Sequence, residues 1–340
     1  MPPKLRALSW EEIGLGNPNL LSTEPLSEDE RLALAASIPN ADAETPLAAQ
    51  LSLDTRRRIA LQGRKFQRPA HPRIMCVANQ KGGVGKTTTT VNLAAALAIG
   101  GLKVLVIDID PQGNASTALG LEHRVGTASI YESLIDEVPL SAVVQHCPDI
   151  EGLYGVPSTI DLSGAEIELV STVSRETRLR RAIYRYLEEM AHRGEQLFDY
   201  ILIDCGPSLG LLTVNAFAAA DEVFLPIQCE YYALEGLGLL MKTVDLMRQH
   251  LNPVLEISTI LLTMYDGRTN LARQVADEVH NHFSDQVLKT RIPRSVRIAE
   301  APSYGQTVLT YDPTSSGALA YQEAARELSE RAVIANRVAA

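Results

Sequence analysis

Lys81-Gly82-Gly83-Val84-Gly85-Lys86-Thr87-Thr88 decides how the rest of this 340-residue chain is read. A short apolar run, Ile74–Ala78, precedes it, and an apolar segment of helical character, Thr88–Ile99, follows. Strand, glycine turn and helix in that order form the context in which such a motif binds phosphate. The glycines let backbone N–H groups turn inward around phosphate oxygens, and the helix N-terminus adds its positive dipole end. Lys86 supplies a point charge for the outer phosphates, and Thr87 offers a hydroxyl to Mg2+. The stretch predicts a P-loop nucleotide hydrolase.

Two acidic strand ends lie further along. Val104–Ile107 leads into Asp108-Ile109-Asp110-Pro111-Gln112-Gly113-Asn114, with Asp108 and Asp110 on one side of the strand. A carboxylate beside a phosphate loop can hold a Mg2+ water or orient the attacking water. Phe198–Ile203 is a second apolar run closed by an acid, and Asp204 is expected to contact Mg2+ through water. Further short apolar runs, Glu222–Ile227, Ile257–Met264 and Val287–Ile292, alternate with helical stretches. Runs without polar alternation suit strands buried on both faces, and strands separated by helices imply βαβ units. The predicted fold is an α/β P-loop NTPase, a doubly wound, mostly parallel sheet flanked by helices, with its loops working at the strands' carboxyl ends.

Residues 1–72 read differently and are predicted to be an N-terminal extension, largely flexible, before an ATPase domain over 73–340. Ser27-Glu28-Asp29-Glu30 has capping-box spacing ahead of Leu32, Leu34 and Ile38, which predicts a short helix there. A second is expected over 54–62, and the basic stretch from Arg56 to Arg73 runs through Pro69-Ala70-His71-Pro72. No apolar run follows the first six residues as a secretory signal would require. Cys76, Cys147, Cys205 and Cys229 lie far apart with no C-x-x-C, which argues against a zinc site or a disulfide framework and for a reducing cytoplasm. A net charge of −10 confines any nucleic-acid contact to a local patch. Lys289, Arg291, Arg294 and Arg297 form such a patch.

The loop carries a lysine at its first position, Lys81, and in this it resembles the deviant Walker A loop of the ParA/MinD class of dimerising ATPases. D-x-D-P-Q-G-N-A from Asp108 resembles that class's second motif. The strings from Ala165, Gln228, Leu262 and Ile292 resemble the Soj-like, chromosome-partitioning ParA branch, especially its actinobacterial members. The resemblance spans about Arg73 to Glu330. It implies ATP and Mg2+ as cofactors, held by the loop from Lys81 to Thr88 (Gly82, Gly83, Val84, Gly85 and the rest) with Asp110, Pro111, Met264 and Pro293 bordering the nucleotide. It implies that Lys81 reaches across a homodimer to the partner's ATP, and that Gly82 sits where the two loops approach. Lys86 and Asp110 would act in hydrolysis, with Thr87 and Asp204 at the metal.

Arg268 and Arg297 would contact double-stranded DNA non-specifically, a ParB-like centromere-binding protein would stimulate hydrolysis, and the protein would be cytoplasmic and nucleoid-associated. The family's two prolines after the second acid are here Gly206-Pro207. A MinD-like membrane switch is the alternative, but the Ala-rich end, Ala318–Ala340, suits packing on the domain better than lipid, so no membrane partner is expected. Electron-transfer relatives need interface cysteines in a pattern that is missing here.

Overall fold

In the computed structural model, residues 27–38, 46–61, 63–230 and 233–339 are described. They divide into two compact units at Arg64/Lys65. In the first, helix Glu28–Ser37 starts on the expected capping box: the Ser27 hydroxyl accepts the Glu30 N–H while the Glu30 carboxylate accepts the Ser27 N–H. The second helix, Pro46–Leu61, begins well before Asp54. Its first turn opens on a proline, whose fixed φ suits that position, and continues through good helix formers. The rest of the expected flexible extension, residues 1–26 and 39–45, lies outside the described residues.

The second unit is built on one eight-stranded sheet in the order β3-β4-β2-β5-β1-β6-β7-β8. Its strands are β1 Arg73–Val77, β2 Val104–Asp108, β3 Gln145–His146, β4 Leu153–Val156, β5 Tyr200–Asp204, β6 Glu222–Gln228, β7 Glu256–Tyr265 and β8 Val287–Pro293. Every pairing is parallel except β3 with β4. The six long apolar runs seen in the sequence are all strands. β2 and β5 are buried at every residue, as runs covered by helices on both faces must be. β3 and β4 were not legible: two residues carry no periodicity, and Leu153-Tyr154-Gly155-Val156 is short and glycine-broken.

Helix Lys86–Ile99 lies on one face, with Val91, Leu93, Ala94, Ala95 and Leu97 buried. The C-terminal helix Ser316–Ala339 packs on it and on β8, burying Leu319, Tyr321 and Leu328, each worth roughly 1.5–3 kcal/mol. Glu327 of that helix accepts the backbone N–H groups of Lys289 and Thr290 (2.8 and 3.1 Å) and pairs with Arg331 at 2.9 Å. Arg331 in turn donates to the carbonyls of Asp285, Gln286 and Val287. The chain just before β1 is also docked: the Phe66 N–H donates to the Gly100 carbonyl at 2.9 Å, and its ring occupies the space a side chain at Gly100 would need.

Candidate nucleotide site and basic edge

The carboxyl ends of β1, β2 and β5, adjacent in the sheet, bring the glycine loop and both acidic strand ends to one place. Gly83 and Gly85 hold φ of 75° and 87°, a left-handed backbone that a side chain disfavours. Helix Lys86–Ile99 starts on Gly85 with no side-chain cap, so its first N–H groups are left for an anion. Lys86 folds back into the loop, its Nζ donating to the Lys81 carbonyl at 3.3 Å. Burial lowers its pKa, opposed chiefly by the Asp204 charge and also by Asp110. The loop is braced from β7, where the Thr263 hydroxyl donates to the Val84 carbonyl at 2.8 Å. Met264 follows at φ 49°, a strained conformation for a residue with a Cβ, and its Cε and the Thr263 methyl would stand 3.9 and 4.0 Å from a Cβ placed on Gly85. Pro293 stands one strand further out, paired in register with Tyr265.

Asp108 and Asp204 face each other as register partners on β2 and β5. Asp108 accepts the Ser116 N–H at 2.8 Å, the Ser116 hydroxyl at 2.7 Å and the Asp110 N–H at 3.1 Å. These bonds tie the turn that carries Asp110 to the helix Asn114–Ala118 after it. Asp110 accepts the Gln112 N–H at 3.1 Å, and its carboxylate stands beside Gly206. Burial pushes both Asp108 and Asp204 above the usual carboxylate range, with their mutual repulsion adding to it at Asp204. Asp204 Oδ1 accepts the Thr90 hydroxyl at 2.8 Å, while Oδ2 is buried with no donor. The Thr87 hydroxyl stands beside the same carboxylate. An orphaned, buried carboxylate oxygen next to a hydroxyl is an all-oxygen donor set that fits Mg2+ and its waters. Thr87 and Asp204 would hold that ion, which would supply positive charge against the outer phosphates.

Lys81 is placed differently from Lys86. Its Nζ pairs with Glu230 at 2.9 Å, on the loop after β6, and its N–H donates to Asn79 Oδ1. A Cβ added at Gly82 would meet nothing within 4 Å in its own chain. Glu230 escaped residue-level reasoning because no spacing in the sequence ties position 230 to position 81.

The basic residues gather at the carboxyl ends of β7 and β8, the outer edge of the sheet. Arg268 is 91% exposed and clasps Asp266 with two hydrogen bonds of 2.8 and 2.7 Å. That clasp holds the Asp266 carboxyl down at about 2. Arg297, on the short helix Val296–Glu300, pairs with Glu300 at 3.2 Å and Asp312 at 3.5 Å. Arg291 lies over the Tyr265 ring, 4.6 Å from its centroid. The arginines singled out in the sequence thus share one edge, yet the two strongest candidates are already ion-paired. Asp266, two residues before Arg268 in an Asp-Gly-Arg turn, was the signal for this.

Comparison with known proteins gives this geometry its family. Residues 72–257 match the AAA domain. Soj of Bacillus subtilis, the sporulation initiation inhibitor protein, is 52% identical over 257 residues, covering 76% of this chain and 98% of the relative. The chain belongs to the Soj/ParA family of chromosome-partitioning ATPases. The chromosome partitioning protein ParA of Myxococcus xanthus is 50% identical over 76% of this chain and 88% of its own length. Among solved structures, cobyrinic acid a,c-diamide synthase from Mycobacterium smegmatis with bound ADP and magnesium is 37% identical. It covers 75% of this chain and 93% of its own, with a TM-score of 0.62. The Soj/ParA relatives match 76% of this chain, and no helix among the described residues is long and apolar enough to cross a membrane.

Proposed function

We propose that this chain is an ATP-driven dimerising switch for chromosome or plasmid partitioning. Each subunit binds Mg2+ and ATP in the Lys81–Thr88 loop, and Lys86 neutralises the outer phosphates. Asp110 orients the attacking water, which is the step that makes the protein an ATPase. Lys81 leaves Glu230 and reaches the nucleotide of a second copy, so ATP binding and dimerisation become one event. The dimer binds double-stranded DNA without sequence preference through Arg268 and Arg297, coats the nucleoid in the cytoplasm, and is released when a ParB-like partner speeds a slow hydrolysis.

The observation that carries this reading is the contrast between two lysines of one loop. Lys86 is buried in its own cradle, whereas the Lys81 side chain is partly exposed and held by a half-exposed carboxylate. Gly82 supports it, because nothing in its own chain requires a glycine's bareness there. Size-exclusion chromatography with a non-hydrolysable ATP analogue tests the reading. Wild type should shift to a dimer, while Lys81→Ala and Gly82→Val should bind nucleotide and stay monomeric. A normal dimer peak from both variants would remove the model.

A further inference from the structure

On the face of the sheet covered by helices Ile130–Ile135 and Arg178–His192, those two helices and the turn after the first enclose a cavity of about 350 Å3. Its volume lies at the low end of small-molecule sites. Arg178, Arg181 and Arg185 fall on one face of their helix and line it together with two carboxylates, Glu137 and Glu188, while Glu189 of the same helix pairs with Arg185 at 3.1 Å. At its wall Ser133 is 3% exposed, and its hydroxyl has no hydrogen-bond partner. Nε of Arg178 is buried and unpartnered as well, on a side chain that is 11% exposed. The other end of that guanidinium is spoken for, donating to the Leu134 and Ile135 carbonyls at 2.9 Å each. Buried donors are almost always satisfied, and these two, both on residues that line the one cavity, are not. With cationic walls, the acceptor those donors fit is an anion.

Glu137 fills part of that role now. Its Oε1 lies 3.3 Å from Arg178 and 3.4 Å from Arg181. It does so from a backbone at φ 57°, the left-handed region that disfavours any residue with a Cβ. Its side chain is more than half exposed, so it can swing clear without disturbing the core.

We infer that this cavity is a binding site for a small oxyanion, either a phosphoryl group or the carboxylate of a small diacid. Ser133 and Arg178 are its inner donors, and Arg181 and Arg185 its rim. Glu137 is a built-in competitor that occupies Arg178 and Arg181 until the anion displaces it.

The test is isothermal titration calorimetry on the full-length protein, saturated with Mg2+ and ADP so that the phosphate loop is already filled. Inorganic phosphate and succinate are titrated separately at constant ionic strength. The expected result is single-site binding of at least one of them. Glu137→Gln, which removes the competing charge, should tighten it. Arg181→Ala combined with Arg185→Ala, both exposed positions, should weaken it about tenfold or more while thermal melting stays unchanged. Heat from phosphate alone assigns a phosphoryl ligand, and heat from succinate alone a carboxylate. No binding of either anion to Glu137→Gln, or binding that the double arginine variant leaves unaltered, overturns the proposal. Because ADP saturation is verified first, failure here is separable from failure of the nucleotide site.

Discussion

Lys86 and Asp110 are proposed to serve one nucleotide, and on that proposal their removal should fail in different ways. Lys86→Ala takes away the cation that the loop folds around, and a hydrogen bond to a charged group is worth about 1.5–3 kcal/mol. ATP affinity, measured with a fluorescent analogue, should fall by about tenfold or more. Asp110→Ala leaves the cradle whole, so ATP should bind and the dimer should accumulate, with turnover reduced about a hundredfold or more. Wild-type turnover from Asp110→Ala would strike that residue from the catalytic role. The glycine loop and both acids were legible residue by residue, because phosphate and Mg2+ impose fixed residue types at fixed spacing. What each charge leans on was not. Glu230 under Lys81 and Asp266 under Arg268 are pairings made by the fold, and no local pattern announces them.

At the scale of elements, the basic edge formed by the ends of β7 and β8 is restrained by its own acids. Asp266→Asn unclasps Arg268 and removes a negative charge from the same turn. ATP-dependent DNA co-sedimentation should therefore strengthen in Asp266→Asn and weaken in Arg268→Ala, for every DNA sequence alike and with a steep fall in salt. A decrease in the Asp266 variant would mean that the clasp positions Arg268 for DNA. The outer strand has a second restraint in Glu327, which covers two backbone N–H groups of β8. Glu327→Ala should destabilise the protein by about 1–3 kcal/mol, because those donors and Arg331 lose their shared acceptor. Chemical denaturation reads the change, and a stability equal to wild type would show that water replaces the carboxylate at no cost. Strands were the elements most legible in the sequence, since burial on both faces writes itself as an unbroken apolar run. β3 and β4 were not, being two and four residues long with a glycine in the middle.

The molecule as a whole carries its acids at a cost that depends on pH. Asp108 and Asp204 are buried together and titrate above their unfolded range, so the folded chain holds protons that the unfolded chain has already released. Stability conferred by the protonated acids is full below the ordinary carboxylate value of 3.8 and is lost as pH rises through their elevated folded values. The metal-free protein, in chelator, should therefore melt at a lower temperature as pH rises from about 5 to about 8. Saturating Mg2+ and ADP should flatten that slope by giving the carboxylates a counter-charge. A metal-free melting temperature that rises across this range would contradict the burial of charge at the site.

The same sheet sets a timetable for the chain as it is made. Arg73 of β1 meets Tyr200 127 positions later and Glu222 149 positions later, on the two strands that flank it. At a synthesis rate of about 5–20 residues per second, β1 waits about 6–30 seconds for its neighbours to be made. During that interval the phosphate loop and the apolar helix behind it exist without the surface that buries them. The segment proposed to carry the nucleotide chemistry is therefore synthesised well before the strands that shelter it. Its nascent form is a natural client for a holding chaperone, and refolding from denaturant should be slow for the same reason, since the central strand pairings must close long loops first.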